Sequence, residues 1–259
     1  MRIGIFYKEK NLQIVDTIVD EALKYGFDLD DDKPDIVFSI GGDGTFLKAV
    51  HKYIDRLDDI LFIGINGGSL GFFYEFSKED IAMIFLRLNS KSYKIKEHRL
   101  LKGIAKYTKS SEEIYALNEI RVENPFHTLI STVSIDGEEL ETFRGNGLIV
   151  SSCLGSSAYN KSLGGALIDN DLEALELTEV AGISNNIYRS LGSSLVIKGD
   201  KKISLSNLQS AAAIGYDHLN LEKDDELVSL DVCYSNRKVK IIYSEEHSYV
   251  QKIRKSFVL

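Results

Sequence analysis

The chain is poor in several things, and each scarcity excludes something. Its 259 residues hold two cysteines and two prolines. Cys153 and Cys233 form no C-x-x-C pair, which argues against a zinc site or a redox motif, and two isolated thiols suit a reducing cytoplasm. Pro34 and Pro125 stand far apart, so no proline-rich linker marks a domain boundary. No apolar run approaches the roughly 18 residues of a membrane span. The apolar stretch after Met1 is too short for a signal-peptide core. The expectation is a soluble, cytoplasmic chain that meets no membrane. Basic charge is also short: 31 Lys and Arg stand against 39 Asp and Glu, a net charge of −8. A nucleic-acid binder usually carries the opposite balance. A phosphate ligand remains open, because backbone N–H groups and a few local cations can hold an anion.

What is present is ordinary globular composition, 44% hydrophobic and 27% charged, at a length of one to two domains. Such a chain buries enough surface to fold without disulfide or metal staples. The first third alternates strand and helix patterns. Ile3, Ile5 and Phe6 suggest a strand; Ile14, Val15, Ile18, Val19, Ala22 and Leu23 recur at helical spacing and stop at Gly26. Asp35 to Ile40 is a second strand, Thr45 to Ile54 a helix, and Leu61 to Ile65 a third strand. Ser77 with Asp80 reads as a capping box before the apolar face of Ile81, Ile84, Phe85 and Leu88. This order predicts an α/β layer with a parallel sheet. Near residue 92 the period changes to short strands, with Asp136-Gly137 as a hairpin turn. Val250, Ile253 and Phe257 return to helical spacing, and that face must pack on something, by expectation the first domain. The division expected is 1–98 plus 245–259 for the α/β domain and 99–244 for a β-rich one.

Gly41-Gly42-Asp43-Gly44-Thr45 ends a strand and opens a helix. The glycines let backbone come close to a ligand, and helix N-terminal N–H groups face an anion. The run lacks the Gly-Lys-Ser/Thr ending of a Walker loop and is not G-x-G-x-x-G. Asp43 opposes a phosphate unless it accepts a proton from an attacking hydroxyl or helps to hold a metal ion. The bland alternative is a tight turn with a solvated aspartate. A second glycine run, Asn66 to Phe72, follows the next strand. Further on come Asn118-Glu119, Arg144-Gly145-Asn146-Gly147, Gly155-Ser156-Ser157-Ala158-Tyr159-Asn160 and Asp217-His218.

In series these motifs resemble the NAD kinase family from Ile40 to His218, and the stretch Ala158 to Ala166 is similar to compact bacterial members. The resemblance implies a Rossmann-like α/β domain, then a β-rich domain, with the C-terminal helix packing back on the first. It implies transfer of a phosphoryl group from ATP, or polyphosphate, to the 2′-hydroxyl of the adenosine ribose of NAD. Mg²⁺ or another divalent cation would come with ATP and need no all-protein cage. Asp43 would be the base, and Gly42 and Gly44 would lend N–H groups to the donor phosphates. Asn118 and Glu119 would bind ribose hydroxyls, Phe72 would lie near adenine, and Ser157, Ala158, Tyr159 and Ser162 would line the dinucleotide pocket. Arg144, Asn146, Ala181, Ile183 and Tyr188 match pocket and cross-subunit positions, and His218 matches a histidine near the dinucleotide phosphate or acceptor hydroxyl, with Asp217 to orient it. The partners implied are NAD, ATP and further copies of the chain, in a homodimer or homotetramer with a shared active site. Two departures stand out. Asn146 replaces the aspartate of Arg-Gly-Asp-Gly, and Ser152-Cys153-Leu154-Gly155 replaces Thr-Pro-x-Gly. Altered affinity or donor preference is the expectation. The competing readings are a non-catalytic NAD(P)-binding regulator and a lipid or sugar kinase sharing the glycine-aspartate loop.

Overall fold

The computed structural model describes residues 1–68, 71–209, 212–244 and 248–259. Ser69 and Leu70 of the second glycine run lie outside the described residues, as does residue 245, where the sequence reading begins the return to the first domain. The chain divides into two compact units, Met1–His98 with Arg237–Leu259, and Arg99–Asn236.

The first unit contains β1 (Arg2–Tyr7), α1 (Leu12–Lys24), β2 (Asp28–Leu29), β3 (Ile36–Gly41), α2 (Asp43–Lys52), β4 (Leu61–Asn66) and α3 (Ile81–Asn89). Its strands are parallel in the order β2-β1-β3-β4, and the end of the chain's last strand (Leu227–Tyr243) lies beside β4. Every residue of β3 is buried, the pattern of a parallel strand covered on both faces. Ile18 and Ala22 of α1 and Ile84, Phe85 and Leu88 of α3 pack on Phe38, Ile40 and Ile63, with Phe85 stacked on Phe38 at 5.4 Å. Gly26, in the left-handed region at φ 70°, stops α1. The capping box before α3 forms: the Ser77 N–H donates to Asp80 Oδ2 at 2.7 Å.

One boundary moves. Helical spacing suggests Thr45 to Ile54, but α2 starts at Asp43, with Gly42 extended as its cap, and ends at Lys52. An acidic side chain suits the first turn, where free N–H groups point outward. A separate 3₁₀ turn takes Ile54–Asp59. The C-terminal helix (Tyr249–Phe257) belongs to the first unit, where Lys252 bonds the Phe72 carbonyl and the Phe257 ring meets the Phe72 ring, but the expected apolar face is not buried: Val250 stays 72% exposed and Phe257 39%.

β5 (Lys94–Tyr107) and the last strand each pass from one unit into the other. The second unit adds β6 (Ser111–Ala116), β7 (Glu119–Glu123), β8 (Leu129–Ile135), β9 (Glu138–Gly145), β10 (Gly147–Ser151), the single-turn helix α4 (Tyr159–Ser162), β11 (Ala174–Val180), β12 (Leu195–Lys198), β13 (Ile203–Gln209), β14 (Ala213–Tyr216) and β15 (Leu219–Leu221). One antiparallel sheet runs β12-β11-β10-β7-β14-β15, and in the other the last strand pairs β13, then β8 and β9. Asp136 and Gly137 turn the β8–β9 hairpin, both at positive φ. Leu101, Val133, Phe143, Leu148, Val150, Leu177 and Leu205 belong to its core. Among the described residues no helix is long and apolar enough to cross a membrane.

Candidate active site

In the first unit β3 and β4 end in register, Gly41 opposite Asn66, so both glycine runs leave from neighbouring carboxyl ends. Open parallel sheets bind ligands at such ends. The two runs also touch. The Gly67 N–H donates to the Gly41 carbonyl at 3.2 Å. A Cβ on Gly67 would fall 2.9 Å from Gly41 Cα and 2.7 Å from Asn11 Nδ2, so this approach needs glycine. Asn11 is buried and donates to the Ile40 carbonyl at 3.1 Å, fixing the strand end from behind.

Asp43 sits where the runs meet. Its Oδ2 accepts from the Phe72 N–H at 3.0 Å and its Oδ1 from the Phe73 N–H at 3.2 Å. A Cβ on Gly71 would lie 2.5 Å from Oδ1, so the segment closes over the carboxylate only because that residue is glycine. Tyr74 donates from Oη to the Gly42 carbonyl at 2.8 Å, and Phe73 stacks on Phe46 at 4.7 Å, which anchors the segment. Burial raises the proton affinity of Asp43; the two N–H bonds and the positive charge of Lys252 oppose it, and the net direction is upward. Burial pushes the Tyr74 hydroxyl up as well. Gly44 is exposed and nothing lies within 4 Å of where its Cβ would stand, so the fold itself leaves that space open. Phe72 is half-buried, its ring 5.6 Å from that of Phe257.

The second unit gathers a different set. Asn118 and Glu119 lie at the start of β7, both buried, and Asn118 Oδ1 and Glu119 Oε2 have no hydrogen-bond partner. Two orphan acceptors on consecutive residues fit donors brought by a ligand, such as sugar hydroxyls. Asp217, in the left-handed region at φ 47°, turns its carboxylate onto the Leu117 and Asn118 N–H groups at 2.8 and 2.7 Å, so it positions the Asn118-Glu119 pair. Arg121 reaches Glu119 at 3.5 Å and Glu123 at 2.9 Å, and its guanidinium occupies the space that a Cβ on Gly215 would fill. Burial foremost, then repulsion from Asp217, drives the Glu119 carboxyl up to about 8, against the pull of Arg121. Tyr159 donates to Glu123 at 3.1 Å with Arg121 over its ring at 5.8 Å. Ser157, beside it, bonds the Leu154 carbonyl, Ala158 precedes α4 and Ser162 ends it, exposed. His218 is exposed in the turn between β14 and β15.

A third group lies along the segment after β11. Arg144 stacks on Tyr188 at 4.3 Å, its carbonyl accepts from the Ile183 N–H at 2.7 Å, and Ala181 takes positive φ. Asn146 donates from Nδ2 to the Asn124 carbonyl at 3.1 Å, a bond that aspartate would lack. Cys153 keeps a proline-like φ of −59°, but its N–H donates to Tyr234 Oη at 3.3 Å, which proline could not do. Leu154 is buried in the same 3₁₀ turn. Gly155 packs on the Asn118 carbonyl, where a Cβ would lie at 2.1 Å. Gly155→Ala is therefore expected to cost about 1–3 kcal/mol of stability by overpacking and to shift the adjacent Asn118-Glu119 backbone. A fall in Tm with unchanged unfolding cooperativity checks the cost.

Sequence reading missed Asn11, Glu75, Arg121 and Lys252. Lys252 bonds a residue 180 positions away, and no local spacing signals that.

A carboxylate on the first turn of a helix, at paired strand ends lined by glycine, is an arrangement suited to a phosphotransferase. The family model for the ATP-NAD kinase N-terminal domain matches residues 7–93, and that for the C-terminal domain residues 117–244. NAD kinase 1 of Bacillus cereus (strain ATCC 10987 / NRS 248) is 36% identical over 252 residues, covering 95% of this chain and 93% of its own. The NAD kinase of Geobacillus stearothermophilus is also 36% identical, covering 93% and 88%. The fold matches yeast NADH kinase, solved with NADH, at a TM-score of 0.85 over 99% of this chain and 87% of that one, with 18% identity. It matches an Archaeoglobus fulgidus NAD kinase, solved with ATP, at 0.79 over 99% and 97%, with 20% identity. The chain belongs to the NAD kinase family.

Proposed function

We propose that the chain transfers the γ-phosphoryl group of ATP to the 2′-hydroxyl of the adenosine ribose of NAD, releasing ADP and NADP. The observation that carries this reading is Asp43, a half-buried carboxylate of raised proton affinity held by two backbone N–H groups. Phosphoryl transfer is mainly positioning and charge stabilisation, with a carboxylate to take the nucleophile's proton. Asp43 takes the 2′-hydroxyl proton as the oxygen bonds to phosphorus and the bond to ADP breaks. The N–H groups of Gly42 and Gly44, at the start of α2, hold donor phosphates. Asn118 and Glu119 accept from ribose hydroxyls through their unpartnered oxygens. Phe72, Ser157, Ala158, Tyr159, Ser162 and His218 contact the dinucleotide, and Arg144, Asn146, Ala181, Ile183 and Tyr188 form its far wall with a second subunit.

A divalent cation enters as part of the ATP substrate, held by phosphate oxygens. Among the described residues no three His, Cys, Asp or Glu side chains cluster to hold a metal by themselves. Polyphosphate fits the same phosphate site as an alternative donor. We take the protein as cytoplasmic, a compartment that two free thiols suit, and as a homodimer or homotetramer, the assembly the family resemblance implies.

The test is NADP formation from NAD and Mg-ATP, read through an NADP-specific dehydrogenase. Turnover supports the reading; binding of NADP without turnover, with ATP or polyphosphate, replaces it with a dinucleotide-binding regulator. Asn146→Asp exchanges a donor to Asn124 for a charge, and is expected to change KM for NAD several-fold with little change in kcat. Steady-state kinetics in NAD at saturating ATP checks it.

A further inference from the structure

The C-terminal helix poses a question of its own. None of its residues is fully buried, so apolar burial does little to hold it. Its start is fixed by a reciprocal cap between Ser248 and Gln251, which sets the direction of the next residue, Lys252. The Lys252 side chain is only 16% exposed. Its Nζ donates to the Phe72 carbonyl at 3.1 Å and to the Glu75 carboxylate. The other Glu75 oxygen is buried without a partner, so Lys252 compensates that charge.

The Phe72 carbonyl belongs to the same peptide group as the Phe73 N–H. That peptide therefore accepts from Lys252 at its oxygen and donates to Asp43 Oδ1 at its nitrogen. A cation on the carbonyl polarises the peptide and strengthens its N–H as a donor. It also fixes the peptide plane, and with it the rotamer of the carboxylate.

We infer that Lys252 is a positioning residue for the reaction: through the Phe72–Phe73 peptide it holds the Asp43 carboxylate in its working orientation. The inference rests on the reading of Asp43 as the base. The C-terminal helix, at the far end of the sequence, thus completes the glycine-aspartate site rather than merely covering a surface.

The experiment compares wild type with Lys252→Met, Lys252→Arg and the double variant Lys252→Met/Glu75→Gln. The double variant removes the charge that Lys252→Met would strand, and so guards against loss of folding. Each is assayed for kcat and for KM of NAD and ATP, with Tm measured alongside. The expected result is a tenfold or larger fall in kcat for both variants lacking the cation, both KM values within threefold of wild type, and at least half of wild-type kcat in Lys252→Arg. Unchanged kcat in the double variant, a loss confined to KM, or failure of arginine to restore kcat overturns the inference. Wild-type protein that makes no NADP overturns instead the reading on which it rests.

Discussion

Asp43→Asn is expected to lower kcat by about 10²–10⁴-fold, the usual contribution of a positioned base, while NADP still raises the Tm. The amide matches the carboxylate in size but cannot take the ribose proton. It also fits its cradle badly. Both carboxylate oxygens accept from backbone N–H groups, Phe72 and Phe73. An asparagine must turn its NH₂ toward one of them, donor against donor, and lose about the worth of one hydrogen bond, roughly 1 kcal/mol. The two consequences separate in measurement. The proton-transfer loss appears in kcat at saturating NAD and ATP, and the cradle defect appears as a small fall in Tm without ligand. A kcat within threefold of wild type would remove Asp43 from the role of base. Gly71→Ala offers an independent route to the same carboxylate, since the added Cβ would meet Oδ1.

The contrast between Asp43 and Lys252 shows what a sequence can and cannot reveal. The strands β3 and β4 announce themselves as short apolar runs, because a parallel strand inside the sheet is buried on both faces. The Ser77–Asp80 cap and the Asp136-Gly137 turn are local chemistry, legible within four residues. Asp43 is legible for the same reason, as a carboxylate inside a glycine run. The partners that tune these groups are remote. Phe72 reaches Asp43 from the next strand's end, Lys252 reaches Phe72 from the last helix, and Asp217 holds Asn118 across 99 residues. Their residue types are common, and only strand register and helix docking bring them to the site. The start of α2 escaped for another reason: Asp43 and Gly44 are poor helix formers by propensity, and the first turn there has no side-chain cap but is held by the Phe72 and Phe73 N–H groups on the Asp43 carboxylate.

Glu119→Gln is expected to act in opposite directions on activity and on alkaline stability. The Glu119 carboxyl is buried beside Asp217 and titrates at about 8 in the folded protein, against 4.5 for an ordinary glutamate. Its folded pKa is raised, so the stability linked to its proton is complete below the unfolded value and is lost as pH rises through the folded one. Between pH 4.5 and 8 the native state forgoes on the order of 5 kcal/mol from this group, at 1.36 kcal/mol per unit. Glutamine titrates nowhere in this range. The Tm difference between variant and wild type should therefore be small near pH 4.5, grow with pH, and level off above about 8, at roughly 2–4 °C per kcal/mol for a chain of this size. Activity moves the other way. Above pH 8, where the carboxyl is ionised, glutamine keeps one acceptor oxygen where the carboxylate has two, and the loss of a charged acceptor for a ribose hydroxyl corresponds to about 10–100-fold in kcat/KM for NAD. A Tm difference that stays flat from pH 5 to 9 would show that Glu119 does not carry a raised pKa. An unchanged kcat/KM would show that its free oxygen, buried and unpartnered in the folded chain, is not where the ribose is held.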